Sequence, residues 1–344
     1  MKTLILPMYG VGDTLMITPA IEVLKKSTDC WIANICMFRS TYEVLKGNPF
    51  IDDLIYFPFM DKTKFQSFKF MMSLRGKFDC AINFYPSNRW QYSFLSWLTG
   101  AKKRIGHRYI KRDIRGLNFL KNYTVKENEK LHNVEENIRL LKFFGINVKD
   151  APSMRIYFDE DEIEAGKRTV QAVSSREIKV GVHTGTSSFK KHKKRRWARE
   201  KFLELINSFP DFDFFLFGTE EEKEENYFIL NNAKHKNVIL FENEPIRKVA
   251  TLIKQMNVFI SNDSGLMHIS AAVGTPVVAI FGPTNPVWVR PWKVKHRIVK
   301  ADMPCSPCFY YSPEPLKCRA SLDFKCLKEI DVSMVKEALI QIMI

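Results

Sequence analysis

The sequence predicts an α/β protein made of two parallel-sheet domains. Short apolar, β-branched runs alternate with segments of helical periodicity, which is the pattern of strand–helix–strand units. The alternation runs its course twice along 344 residues, a length beyond what a single core usually takes. The glycine-bearing polar turns follow strands and open helices, where ligands of parallel sheets bind.

In the first half, strands are predicted at "KTLILP", "CWIANIC", "DLIYF" and "DCAINF", with helices near 14–27, 63–75 and 89–99. The segment "FFGINVKDAPSMRIYFDEDEIEAGKRTVQAVSSREI" combines turn residues with a charged helix, so the boundary belongs near 150–178, dividing the chain into 1–165 and 166–344. Beyond it, "IKVGVHTG", "DFFLFG", "NVILFE", "NVFIS" and "PVVAIFG" predict a sheet of about five strands, separated by helices such as "REKFLELINSF" and "PIRKVATLIKQM". The tail "DVSMVKEALIQIM" has a helical pattern and is expected to pack back on that sheet.

A composition of 45% apolar and 26% charged residues is globular, and nowhere is there an apolar stretch long enough for a membrane span. The N-terminal "MKTLILPMYGVGD" ends in a glycine turn after a short apolar run, so it is expected to be a first strand rather than a secretory signal, and the protein cytoplasmic. The net charge of +15 favours anionic partners. Nucleic acid is not expected, because a recognised reading motif or an aromatic-interleaved basic surface is missing.

Two turns stand out. In "SNDSGLMHIS", the strand "NVFIS" leads into Asn262, Asp263 and Ser264, and "GLMHISAAV" starts a helix whose free N–H groups form an anion site. His268 lies about one turn inside that helix, within reach of the same anion. The plainer reading of this stretch is a helix cap and a core histidine. In "PMYGVGDTLMITPAIEVLKK", Gly10 and Gly12 permit a tight turn and Asp13 opens the next helix. The dinucleotide pattern G-x-G-x-x-G fails at Leu15, and no P-loop is present. Asp13 is therefore either a general base over a cleft or a structural aspartate of the helix start.

Three segments taken together, "YGVGDTLMITPAIEVLKK", "HTGTSSFKKHKKRRWAREKFLELI" and "SNDSGLMHISAAVGTPVVAIFGPTNP", resemble glycosyltransferase family 9 in order and spacing. The resemblance implies a GT-B fold, two Rossmann-like domains facing a central cleft, with acceptor bound by the N-terminal domain and nucleotide sugar by the C-terminal one. It implies an ADP-heptose donor, a lipopolysaccharide-core or related saccharide acceptor, and inverting transfer with no catalytic cofactor or metal. By that resemblance Asp13 is the base that deprotonates the acceptor hydroxyl. Asp263, Ser264, Gly265 and His268 match the family's D-S-G-x-x-H signature and belong to the donor site, in which Ser264, Gly265 and the helix N-terminus hold the diphosphate. Thr184, Gly185, Thr186 and Ser187 add donors to it. A lysine usually stands two residues before the tryptophan of the second segment; here Arg195 is followed by Arg196, which leaves open which guanidinium meets phosphate. Glu221 or Glu222, in "FGTEEEKEE", falls where the family binds the nucleoside; an acidic first helical turn explains them equally.

Cys305, Cys308, Cys318 and Cys326 crowd one stretch, and in a cytoplasmic chain they are read either as a structural zinc or iron knuckle or as four ordinary thiols. "KKRIGHRYIKRDIRG" at 102–116 places positive charge in the acceptor half, as a lipid-linked or phosphorylated acceptor at an anionic membrane surface would favour. Competing functions are a transferase using another nucleotide sugar or a protein acceptor, a sugar-nucleotide epimerase, and a non-catalytic nucleic-acid-binding protein.

Overall fold

Twelve short strands, most of them apolar, form two parallel sheets of six strands each in a computed structural model that describes residues 1–110, 113–186, 193–310 and 316–344. The first sheet contains β1 (Lys2–Ile5), β2 (Trp31–Cys36), β3 (Asp53–Tyr56), β4 (Cys80–Ile82), β5 (Lys103–Arg108) and β6 (Tyr123–Lys126), in the order β3-β2-β1-β4-β5-β6. The second contains β7 (Lys179–His183), β8 (Asp213–Gly218), β9 (Val238–Glu242), β10 (Val258–Asn262), β11 (Val277–Ile280) and β12 (His296–Val299), in the order β12-β11-β10-β7-β8-β9. Counted from its own first strand, each sheet has the same doubly wound order. The order reverses between β1 and β4 in one and between β7 and β10 in the other, and ligands of such sheets bind at those reversals.

The sheets are buried on both faces, so their central strands lose the alternation of a half-exposed sheet: every residue of β10 is buried. Close packing also dictates a glycine. Gly181 in β7 pairs in register with Phe259 in β10, and a Cβ at Gly181 would lie 2.5 Å from the phenyl ring.

Three strands escape a reading of hydrophobic runs. β5 is "KRIGHR" and β12 is "HRIV", both rich in cations, yet Ile105, Gly106 and His107 are buried between neighbours. β6, "YTVK", is a short edge strand. Tertiary burial outweighs local polarity here. Of the basic segment 102–116, Lys103–Arg108 form β5.

The chain divides into two compact units, Met1–Tyr157 and Phe158–Ile344. A division at 165/166 would cut the helix Glu160–Val173, which belongs wholly to the second unit. Its N-cap Asp159 accepts from the Glu162 amide, and Arg247 Nε donates to Glu162 at 2.6 Å. Gly166 lets it lie against the helix Ile246–Ile253, since a Cβ there would meet Thr251 at 2.8 Å. The C-terminal helix Val332–Met343 packs on the second sheet as expected, placing Val335, Leu339 and Ile342 in one core with Val278 and Ile280. Among the described residues no helix is long and apolar enough to cross a membrane.

Candidate active site

At the reversal of the first sheet, the chain leaves β1 and enters the helix Val11–Ser27, with extended Gly10 at the N-cap and Asp13 in the first turn. Thr14 ties the turn down: its amide and its hydroxyl both donate to the Gly10 carbonyl, at 2.9 and 2.8 Å. Asp13 is half-buried, in the position where a carboxylate gains from the helix dipole. The phenol of Tyr92 is raised by burial and then by the charge of Asp13, with Arg89 opposing. Arg89 also lies over the Tyr9 ring, 5.4 Å from its centroid. Asp13 therefore shares its surroundings with a buried phenol and a guanidinium. Neither was singled out from sequence, because "NRWQY" has no recognisable spacing to the glycine turn.

At the reversal of the second sheet, β7 runs into Thr184, Gly185 and Thr186, and β10 runs into Asp263, Ser264 and the helix Gly265–Val273. Ser187 lies outside the described residues. Asn262 joins the two turns: its amide donates to the Thr184 carbonyl at 2.8 Å and its oxygen accepts from the Trp197 amide at 2.9 Å. Ser264 occupies the N-cap position without making a side-chain cap. Its hydroxyl instead lies 2.9 Å from His183 Nδ1 and 2.9 Å from the Ser261 hydroxyl. The plain helix-cap reading is thus not realised by Ser264, and the first-turn amides keep their capacity for an anion.

The two arginines part company. Arg195 donates to Asp263 Oδ2 at 2.6 Å and to the Thr284 hydroxyl at 3.2 Å, beside the N-terminus of the Gly265 helix, with Phe309 beneath its guanidinium. Arg196 points the other way, into Glu222 and Glu225 at 2.6 Å each, and also donates to the Thr186 carbonyl. Arg196 and Glu222 are both almost fully buried. Glu222 is further engaged by the amide and hydroxyl of Thr219, at 3.1 and 3.0 Å. The nucleoside contact expected of Glu221 or Glu222 therefore meets, at Glu222, a carboxylate already committed to Arg196 and Thr219; Glu221 is exposed. A Cβ at Gly185 would lie 2.3 Å from Glu222 Oε1, so this glycine is required by the ion pair rather than by a positive φ.

Both histidines of this crevice are held neutral. Burial drives the pKa of His183 down to about 3, with Arg196 adding to the effect. Burial takes His268 down to about 4 against the opposing pull of Asp263. His268 Nδ1 is buried with no hydrogen-bond partner among the described residues. A neutral imidazole with an unused ring nitrogen offers one hydrogen bond and no charge.

The seven cysteines are free thiols. Cys305, Cys308, Cys318 and Cys326 do gather around one small cavity of about 10 Å³, in the second unit. Backbone amides, that of Phe324 first and then those of Leu322 and Ala320, lower the Cys318 thiol, while burial raises Cys326 to about 11. Among the described residues no three His, Cys, Asp or Glu side chains are set to hold a metal ion.

Asn262 was read from sequence as part of the turn, whereas His183, Ser261 and Thr284 shape this crevice without having been singled out. Thr284 sits in "FGPTNP", inside a segment whose resemblance was already noted, and that was the available signal.

A model of glycosyltransferase family 9 (heptosyltransferase) matches residues 67–317. Lipooligosaccharide heptosyltransferase 2 of Campylobacter jejuni is 26% identical over 343 residues, covering 95% of this chain and 93% of its own. Lipopolysaccharide heptosyltransferase 3 of Escherichia coli is 26% identical over 297 residues, 82% of each chain. In fold, the chain matches the structure of E. coli ADP-heptose lps heptosyltransferase II with a TM-score of 0.78 at 21% identity, over 100% of this chain and 98% of that one. The two doubly wound sheets are thus the GT-B architecture, and the chain belongs to glycosyltransferase family 9, the heptosyltransferases.

Proposed function

We propose that the protein moves a heptose from ADP-heptose to a lipopolysaccharide-core or related saccharide, with inversion at the anomeric carbon and no catalytic metal. The observation that carries this reading is the second crevice, where an uncapped helix N-terminus, Arg195, and the hydroxyl-bearing turn Thr184–Thr186 converge around Asp263 and Ser264. The leaving ADP gains negative charge as the sugar bond breaks, and fixed amides and a guanidinium stabilise such charge without reorganising. In this role Arg195 faces the diphosphate, Gly265 and Ser264 receive it, and His268 offers its ring nitrogen. Arg196 and Glu222 are the buried strut that holds the Thr186 turn. Asp13, at the other reversal, takes the proton of the acceptor hydroxyl; Arg89 and Tyr92 shape its surroundings. The acceptor is lipid-linked or phosphorylated, and the enzyme works on the inner face of the cytoplasmic membrane.

A structural zinc or iron at Cys305, Cys308, Cys318 and Cys326 is a separate reading. Their convergence on one cavity and the amides aimed at Cys318 support it, and the lack of a three-residue ligand set among the described residues counts against it. Metal analysis of protein purified without chelator decides between them.

The function is tested by ADP release from ADP-heptose in the presence of saccharide acceptors. The wild type is expected to turn over, and Asp13→Asn to lose about 10²-fold or more in kcat with ADP affinity kept. No release with any acceptor, or near-normal turnover by Asp13→Asn, would defeat the proposal or the role of Asp13 respectively.

A further inference from the structure

The positive charge of this chain is concentrated rather than spread. Residues 60–126 contain fifteen Lys and Arg against three Asp, and so carry twelve of the net fifteen positive charges in about a fifth of the sequence. The same stretch exposes large apolar side chains. On the helix Lys64–Ser73, Met71 is buried with Leu74 and Leu98, while Phe65, Phe68 and Met72, spaced i, i+3, i+7, form an outward stripe; Phe65 is 75% exposed. On the helix Trp90–Leu98, Trp90, Phe94 and Trp97 form a second stripe with ring centroids 6.0 and 5.9 Å apart.

These features are contiguous. Phe70, Phe94 and Leu95 of the two helices pack on one core cluster, which places the helices on the same side of the first sheet. The Ser93 hydroxyl donates to the Gly116 carbonyl at 2.7 Å, tying the second helix to the turn that carries Ile114 and Phe119, 83% and 73% exposed. Lys64 and Lys69 are exposed beside the first stripe. Soluble surfaces rarely hold so many large apolar groups together, and aromatic and aliphatic tips set among lysines are the composition of an interfacial membrane anchor.

We propose that this face of the first unit, the helices Lys64–Ser73 and Trp90–Leu98 with the turn 113–120, docks on an anionic lipid bilayer. It rests on the reading of a membrane-side acceptor given above. The apolar tips enter the headgroup boundary, and the basic excess is attracted by the anionic surface, the two signals that stable peripheral binding needs.

The full-length protein is sedimented with vesicles of phosphatidylcholine alone and of phosphatidylcholine with a quarter phosphatidylglycerol. Binding is expected only to the anionic vesicles and should weaken with salt. Phe65→Ser with Phe68→Ser, Ile114→Ser with Phe119→Ser, and Lys64→Glu with Lys69→Glu are each expected to reduce it about tenfold or more. Tyr227→Ser, an exposed aromatic on the second unit, should change nothing. Circular dichroism and the thermal melt of every variant verify folding, and ADP binding, by calorimetry, separates this proposal from the donor-site reading: a protein that transfers sugar but ignores vesicles overturns the docking face alone. Binding unaffected by all three pairs overturns it too. So does a wild-type dimer in gel filtration that the same pairs dissolve, for then the face meets a second copy.

Discussion

The two sheets share a strand order and differ in what they present at its reversal. After β1 the chain offers Gly10, Asp13 and, nearby, Arg89 and Tyr92. After β7 and β10 it offers hydroxyls, amides, two neutral histidines and one guanidinium. The first crevice is built around a carboxylate, which suits removal of a proton; in the second, donors gather around Asp263, which Arg195 neutralises, and this suits holding an anion. Topology determines where each site lies, and the residue at each turn determines its chemistry. The supporting structure differs as well: the second crevice is braced by a buried ion pair, while the first is held by a threonine turn.

The largest effect is expected where that bracing is tightest. In Gly185→Ala the new Cβ would lie 2.3 to 2.5 Å from three atoms of Glu222, whose carboxylate is pinned by Arg196 and Thr219. The glutamate has to move, which strains a packed site by about 1–3 kcal/mol and dislodges Arg196 from the Thr186 carbonyl. ADP binding by calorimetry should fall below detection and the melting temperature should drop by several degrees. Normal ADP affinity would mean that the strut has no bearing on the donor.

Arg195→Ala should act more narrowly. A charge-assisted contact to phosphate is worth about 1.5–3 kcal/mol, so ADP affinity should fall about 10- to 100-fold while adenosine is held as before. Arg196→Ala instead leaves Glu222 buried without its cation and should destabilise the fold. If both variants weakened ADP and adenosine alike, the assignment of one arginine to ligand and one to structure would be lost.

How much of this was legible in the sequence follows from range. The turns at Asp13 and Asp263 could be read because a glycine, a small polar residue and a helix start are neighbours in the chain. Strands such as "DFFLFG" announce themselves by apolar content, whereas "KRIGHR" becomes β5 through neighbours supplied elsewhere. The opposed roles of Arg195 and Arg196 were hidden for the same reason: they are set by Asp263 and Glu222, 68 and 26 residues away. The boundary misplaced inside the helix Glu160–Val173 was concealed by a contact with Thr251.

The histidines give the second crevice a pH signature. His183 and His268 are neutral in the fold, at about 3 and about 4, and titrate near their ordinary value once unfolded. Between these limits the unfolded chain binds more protons, so stability rises with pH. It should be complete above about pH 6.5 and decline as pH falls through that value toward 4 and then 3. The melting temperature should fall by a few degrees from pH 7 to pH 5, and His268→Gln should flatten part of that slope. An unchanged slope would take His268 out of the linkage.

The smallest effect is expected at the matching glycine of the first crevice. Gly10 has φ −104°, a conformation alanine adopts without strain, and a Cβ there would lie 3.3 Å from Asp13 Oδ2, close but not forbidding. Alanine is a poorer N-cap than glycine, so Gly10→Ala costs under about 1 kcal/mol of stability. The carboxylate needs to yield only a few tenths of an ångström, but a general base works within hydrogen-bond reach, where such a displacement matters. Transfer should therefore slow by a few-fold, well short of Asp13→Asn, with ADP affinity untouched. Measuring kcat and ADP binding side by side for Gly10→Ala and Gly185→Ala tests the division of labour directly: the first should alter turnover alone, the second binding. Should Gly10→Ala lose ADP as Gly185→Ala does, the two crevices do not serve separate partners.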